Sequence, residues 1–109
     1  MKLHISPEAQ NDLLEIRHYI ATDLKNPDAA RELVSKILVS IRGLLTFPDR
    51  GTALSSALRL STDYRFIVCG KYLVFYRHEG ERLYVIRVLY GRRNWMKFLF
   101  GDDSEEPSP

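Results

Sequence analysis

Apolar residues in the first part of the chain recur at helical spacing. Residues 6–8 (Ser-Pro-Glu) are a typical helix start, with a serine N-cap, proline at the first helical position and an acid in the first turn. The apolar stripe that follows has intervals of four, three and four: Ala9, Leu13, Ile16 and Ile20. This pattern predicts an amphipathic helix. Its polar side chains are expected to point away from the core: Asp12, Glu15, Arg17 and His18.

A second, longer helix is predicted after residue 26. Residues 26–28 (Asn-Pro-Asp) repeat the start signal, and residues 47–51 (FPDRG) contain the proline and glycine that end a helix. Between them, apolar residues again follow helical spacing: Leu33, Val34, Ile37, Leu38, Ile41, Leu44 and Leu45. Because residues 2–5 alternate between polar and apolar, the first half of the chain predicts a short strand followed by a helical hairpin.

Beyond the polar segment TALSSA (residues 52–57), the helical spacing gives way to the alternation of strands. Tyr, Phe, Val, Ile and Leu are enriched in four segments: 58–60, 64–68, 72–77 and 82–90. Gly80 lies in the sequence HEGE between the last two segments and supplies the positive φ of a hairpin turn. The second half therefore predicts an antiparallel sheet.

A turn centred on Glu79 and Gly80 defines the expected register of the last hairpin. It places four pairs opposite each other: Leu73 and Ile86, Phe75 and Tyr84, Val74 and Val85, and Tyr72 and Arg87. In this register Arg87 stacks on Tyr72 across the strands. The strand face that is expected to be buried contains four residues: Tyr84, Ile86, Val88 and Tyr90.

Together these elements predict an α+β fold. Its order is a short N-terminal strand, a helical hairpin, an antiparallel β-meander, and a short helix or cap from Arg93 to Phe100. A chain of 109 residues forms one domain, which we assign to residues 1–100. Residues 101–109 (GDDSEEPSP) have too few apolar side chains to fold, and we expect them to form an acidic tail.

The composition is that of a soluble globular protein, with 45% apolar and 28% charged residues. No apolar run approaches the roughly 20 residues that span a bilayer. A single cysteine, Cys69, cannot form an internal disulfide, and the N-terminus lacks the apolar core of a signal peptide, so a cytoplasmic location is expected. Because His4, His18 and His78 show no metal-ligand spacing, neither a metal nor a cofactor is expected.

Charge is segregated along the chain. Residues 1–57 carry seven basic and seven acidic side chains, whereas residues 58–97 carry nine basic and three acidic side chains. The tail, residues 98–109, carries four acidic side chains and none that is basic. A basic module of this kind is typical of binding to nucleic acid or to an acidic protein surface, and a solvated basic sheet face is the alternative.

The sequence YGRRNW (residues 90–95) holds the most prominent candidate residues. Arg92 and Arg93 leave the last strand together, and none of the following eight residues is a carboxylate that could pair with them. Two adjacent guanidinium groups are stabilised when an anionic surface neutralises both. We therefore hypothesise a binding patch of Arg92 and Arg93, with Arg87 as a third member and Trp95 fixing the turn. The alternative for Trp95 is a core or cap residue.

Five motifs in this order, SPEAQNDLLEI, NPDAA, FPDRG, LVFYR and RVLYGRRNW, resemble the RelE/ParE superfamily of bacterial type II toxins, and the ParE branch most closely. They cover almost all of residues 3–96. The resemblance implies a toxin that inhibits DNA gyrase by trapping an enzyme–DNA intermediate. It also implies neutralisation by a cognate ParD-like antitoxin, which covers apolar grooves beside the helical hairpin and the sheet. No catalytic residue is needed in this branch, and the target-binding candidates remain Arg87, Arg92, Arg93 and Trp95.

The RelE branch is the alternative that the resemblance leaves open, together with a family member that has lost toxicity. RelE-like proteins are metal-independent endoribonucleases that cut messenger RNA on the ribosome. In that case Arg92 and Arg93 would stabilise the charge that develops on the phosphate, and Tyr90 would donate a proton. Two features speak against it: Tyr72 stands where ribonuclease members commonly carry arginine, and the acidic tail repels a phosphate backbone.

Overall fold

The computed structural model describes residues 1–58 and 61–101. Five strands form one mixed sheet in the spatial order β1-β5-β4-β3-β2. The strands are β1 (Lys2–Ile5), β2 (Thr52–Ala53), β3 (Arg65–Cys69), β4 (Tyr72–Glu79) and β5 (Arg82–Tyr90). The helices are α1 (Pro7–His18), α2 (Pro27–Gly43), α3 (Leu54–Leu58) and α4 (Trp95–Phe100), and a π-helical turn (Tyr19–Asp23) follows α1. The predicted α+β class is confirmed.

Both predicted helix starts are confirmed by their capping contacts. The Ser6 hydroxyl accepts a hydrogen bond from the backbone N–H of Ala9 at 2.9 Å, and the Asn26 side chain accepts one from Ala29 at 3.1 Å. The end of the first helix differs from the expectation, because it widens into the π-helical turn. Lys25 then adopts φ +54, a left-handed conformation in which the chain reverses into α2.

The main core lies between the helical hairpin and one face of the sheet. The predicted apolar stripe of α1 points into it, with Ala9 fully buried and Ile16 8% exposed. One polar residue of α1 differs from the prediction: Asp12, which is predicted to point away from the core, is buried, with only 6% of its surface exposed. Its carboxylate bonds to β5, a strand that lies more than 70 residues further along the chain.

A smaller apolar cluster covers the opposite face of the sheet. Leu54 from α3 packs there beside Phe75 and Leu89, and α4 adds Trp95 and Phe98. The rings of Trp95 and Phe75 have centroids 5.2 Å apart. The predicted short C-terminal helix is therefore confirmed, and Trp95 packs as the core and cap interpretation expected.

The predicted register of the last hairpin is wrong. Glu79 pairs with Arg82, which places Gly80 (φ +59) and Glu81 in the turn, one residue later than expected. The strands therefore slide, and the pairs opposite each other are Tyr72 and Tyr90, Leu73 and Leu89, Val74 and Val88, and Phe75 and Arg87. Arg87 has no place opposite Tyr72, so the expected stacking of these two side chains is also wrong.

The expected buried face of β5 is wrong as well, and a β-bulge interrupts the strand. Tyr76 pairs with Val85 and Phe75 pairs with Arg87, so Ile86 is an extra residue without a partner on β4. The extra residue switches the alternation in mid-strand. The fully or almost fully buried residues of β5 are Leu83, Val85, Val88 and Leu89, and Val88 is the one member of the expected set among them.

One further difference concerns the segment before β3. The predicted strand at 58–60 is contradicted at Leu58, which ends α3, and positions 59 and 60 lie outside the described residues. The N-terminal strand is confirmed, and it pairs in parallel with residues 82–85.

The acidic tail beyond residue 101 is not described, so the division into domain and tail stays a prediction. No helix in the described ranges is long and apolar enough to cross a membrane.

Candidate functional site

The turn between β5 and α4 is held by its backbone. Gly91 donates a hydrogen bond to the Lys71 carbonyl at 2.8 Å, and the N–H of Arg93 donates one to the Tyr90 carbonyl at 3.0 Å. The N–H of Trp95 then donates to the Arg93 carbonyl at 2.8 Å. The side chains of Arg92 and Arg93 are both exposed on this fixed turn, which we call the basic turn (residues 91–94).

The two adjacent arginines have different surroundings. The guanidinium carbon of Arg93 lies 4.1 Å from the centroid of the Phe98 ring, a cation–π contact with α4. For Arg92, the described part of the chain provides neither a carboxylate nor a hydrogen-bond acceptor. Arg92 is therefore available to an external anion. Arg93 contacts α4 but donates no side-chain hydrogen bond within the described residues, so it too can bind an anion.

Arg87, the third arginine of the predicted patch, is paired inside the protein. Its Nε and Nη2 atoms donate to the two carboxylate oxygens of Asp12, both at 2.8 Å. This pairing raises the pKa of Arg87, and the Asp12 hydrogen bond is the largest cause. Its Nη1 lies 3.5 Å from the Phe98 carbonyl, so Arg87 connects α1 to α4. The charge of Arg87 therefore already has a partner inside the protein. A contact of Arg87 with a target stays a prediction.

Asp12 is the partner of Arg87 that the sequence did not reveal. Because β1 ends at Ile5, opposite Val85, the next part of β5 has no strand beside it on the edge away from β4. The Asp12 carboxylate takes that position and accepts a hydrogen bond from the Val88 N–H at 2.9 Å. An acid at the border of an apolar helical stripe is the only sequence signal for this role, and it is a weak one.

A groove of about 810 Å³ lies beside the basic turn, between the helical hairpin and the end of the sheet. Its buried lining residues are three apolar side chains, Ile16, Ile20 and Val88, and the paired carboxylate of Asp12. The helical wall contains Tyr19, the first residue of the π-helical turn, and Leu24, the residue after that turn. Tyr19 is 48% exposed and Leu24 is 56% exposed. Apolar surface exposed in a concave site is typical of a protein-binding groove.

The sheet wall of the groove combines aromatic and basic residues. Tyr72 and Tyr90 pack edge to face with ring centroids 5.8 Å apart, and burial is the largest cause of the raised pKa of Tyr72. Lys71 and Arg93 line the same wall. Within the described residues Lys71 has no ion pair, whereas Glu15 on the helical wall accepts a hydrogen bond from Asn11 at 3.1 Å. The exposed charges of the groove are therefore two cations and one carboxylate.

The structure separates the residues of the ribonuclease alternative. Tyr90 and Arg93 line the groove, and Arg92 does not. His78 pairs with Asp49 at 2.7 Å, and His4 stacks on Tyr84 with ring centroids 5.3 Å apart. In the portion that the structure describes, no three side chains of His, Cys, Asp or Glu converge to hold a metal ion.

The FPDRG motif (residues 47–51) forms a loop pinned by a buried tyrosine. The hydroxyl of Tyr76 donates to the Pro48 carbonyl at 2.6 Å and accepts from the Gly51 N–H at 2.9 Å. A Cβ at Gly51 would meet the Phe66 carbonyl oxygen and the Tyr76 hydroxyl at 2.7 Å, so this position requires glycine. The motif is thus explained by packing.

Comparisons with known proteins agree with this architecture. The family model described as "ParE toxin of type II toxin-antitoxin system, parDE" matches residues 3–95. A solved structure, "Chromosomal ParDE TA system from P. aeruginosa", superimposes with a TM-score of 0.66 at 20% sequence identity. The superposition covers 83% of this chain and 95% of that one, and at such low identity it shows a shared fold. No curated relative matches the sequence.

Proposed function

Because this chain belongs to the family of ParE toxins of type II toxin–antitoxin systems, we propose that it inhibits DNA gyrase and is held inactive by a cognate ParD-like antitoxin. The basic turn is the surface that contacts the target, and the groove is the surface that receives the antitoxin. The protein acts as an inhibitor that traps an enzyme–DNA intermediate, so it needs no catalytic group.

The observation that carries the target proposal is the exposed guanidinium of Arg92 on a turn whose backbone is fixed. A guanidinium without a partner in the described residues breaks no existing ion pair when it binds an anion, which favours a contact with phosphate or with an acidic protein surface. Arg93 stands beside it, and Trp95 anchors the turn through its packing on Phe75. The target surface therefore consists of Arg92 and Arg93. Trp95 supports the turn, and Arg87 holds α4 in place through the Phe98 carbonyl.

The antitoxin proposal is supported by the groove and by the system to which the similar structure belongs, a ParDE system. The groove exposes Tyr19 and Leu24, which a soluble toxin would cover with its partner. A segment that folds on binding can bury such a surface along its length. The antitoxin segment is therefore expected to place apolar side chains against the buried base of the groove.

A supercoiling assay tests the target. Purified toxin is expected to block supercoiling of a relaxed plasmid by gyrase, and added antitoxin is expected to restore it. The same toxin is added to a translation extract, in which messenger RNA on ribosomes is expected to stay intact. Ribosome-dependent cleavage together with normal supercoiling would overturn the proposal and favour the RelE-like activity.

A further inference from the structure

We propose that Arg93 belongs to both surfaces, and that the antitoxin neutralises the toxin by covering this side chain with a carboxylate. The inference rests on the proposed function in two respects, namely that the antitoxin occupies the groove and that the basic turn contacts the target. It adds a mechanism of neutralisation: the antitoxin and the target compete directly for one guanidinium group.

Arg92 and Arg93 are adjacent in sequence but differ in their position relative to the groove. Arg93 lines the groove, and Arg92, one residue earlier, does not. The guanidinium carbon of Arg93 lies 4.1 Å from the centroid of the Phe98 ring. Within the described residues no acceptor takes a hydrogen bond from the Arg93 side chain, so its N–H groups are left for an external acceptor. Arg93 can therefore donate hydrogen bonds to an anion in the groove without losing its contact with α4.

The charges of the groove determine the chemistry of its occupant. Asp12 contributes no net negative charge, because Arg87 neutralises it through two hydrogen bonds of 2.8 Å. Lys71 and Arg93 then outnumber the single remaining carboxylate, Glu15. The occupant that fits is an amphipathic segment with an apolar face toward Ile20 and acidic side chains toward Lys71 and Arg93. A second copy of this chain, whose residues 58–97 are strongly basic, complements these cations poorly.

A consequence follows for the two adjacent arginines. A segment that lies in the groove covers Arg93, so the target cannot engage this residue while the antitoxin is bound. Arg92 lies outside the groove lining and contributes to the target surface alone. Substitution of Arg93 is therefore expected to weaken both interactions, whereas substitution of Arg92 weakens only contact with the target.

The test compares Arg93→Ala with the matched control Arg92→Ala. Binding of the full-length antitoxin encoded beside the toxin gene is measured by calorimetry at low and moderate salt, after circular dichroism has shown that each variant is folded. Arg93→Ala is expected to weaken binding about 10- to 100-fold, the size of a lost charge-assisted hydrogen bond, and Arg92→Ala less than about two-fold. Arg93→Lys, which keeps the charge, is expected to recover part of the affinity.

A second groove variant, Lys71→Ala, separates the groove from the basic turn. It is expected to weaken antitoxin binding and to reduce the salt dependence of the affinity, as Arg93→Ala does. Equal antitoxin affinities for wild type and Arg93→Ala would overturn the inference. So would a toxin dimer, detected by sedimentation of the free toxin, that Arg93→Ala dissociates. Neither result depends on gyrase, so the antitoxin contact of Arg93 can fail while the proposed target stands. A negative supercoiling assay would remove gyrase as the competitor for Arg93, and the binding comparison would still decide the antitoxin contact.

Discussion

The substitution Asp12→Ala tests the structural role of the pair that joins α1, β5 and α4. The Asp12 carboxylate accepts three hydrogen bonds, two from Arg87 at 2.8 Å and one from the Val88 N–H at 2.9 Å. The alanine variant would leave the Arg87 guanidinium unpaired at 19% exposure and the Val88 N–H without an acceptor. Both losses destabilise the native state.

The magnitude follows from the burial of the two partners. Breaking a buried ion pair on one side costs about 3–5 kcal/mol, and an unsatisfied buried N–H costs about 1–3 kcal/mol. Water can reach part of the Arg87 side chain, so we take the lower end and expect a loss of about 3 kcal/mol in the free energy of unfolding. For a domain of this size, a loss of about 1 kcal/mol lowers Tm by roughly 4–8 °C, so the decrease should exceed about 10 °C.

Urea denaturation followed by circular dichroism measures the effect. Asp12→Asn keeps an acceptor for the Val88 N–H and removes the charge, so it should lose less stability than Asp12→Ala. The double variant Asp12→Ala/Arg87→Met removes both charges, so its loss should be smaller than the sum of the two single losses by at least about 1 kcal/mol. Stability of Asp12→Ala within about 0.5 kcal/mol of wild type, or strictly additive losses, would refute the reasoning.

Four further outcomes are expected. The double substitution Arg92→Ala/Arg93→Ala should abolish growth arrest on induction while Tm stays within a few degrees of wild type, and lethality at equal expression would remove the basic turn from the target surface. Gly51→Ala, which places a Cβ 2.7 Å from a backbone oxygen of β3, should lower the free energy of unfolding by about 1–3 kcal/mol in urea titrations. Truncation after Gly101 should change Tm by no more than a degree or two, because surface changes are typically within about 0.5 kcal/mol, and a larger loss would show that the tail docks. The hydrogen bond from His78 lowers the pKa of Asp49, so the stability that this carboxylate contributes is intact above its unfolded pKa of 3.8 and is lost as the pH falls through the lowered value. The Tm difference between wild type and Asp49→Asn should therefore shrink from pH 6 toward pH 2, and a constant difference would contradict the assignment.

The sequence by itself determined the local elements and located the basic turn. Helix starts were readable because a capping side chain and proline act within three residues, as the Ser6 contact with Ala9 shows. Strands were readable because alternation is a property of consecutive residues. The exposure of Arg92 and Arg93 could be predicted for the same reason, since a basic pair at a strand end with no nearby carboxylate has no local partner.

Tertiary structure decided the features that depend on distant residues. The bulge at Ile86 puts Val88 into the same core as Leu83 and Val85, with which strict alternation would not group it. No local pattern specifies a bulge, because it depends on which residues of β4 lie opposite. Asp12 became buried because β1 is too short to pair with all of β5, and its partner Arg87 lies 75 residues away. The groove exists where the π-helical turn meets the ends of β4 and β5, so its lining and its charge balance are set by packing between elements that are remote in sequence.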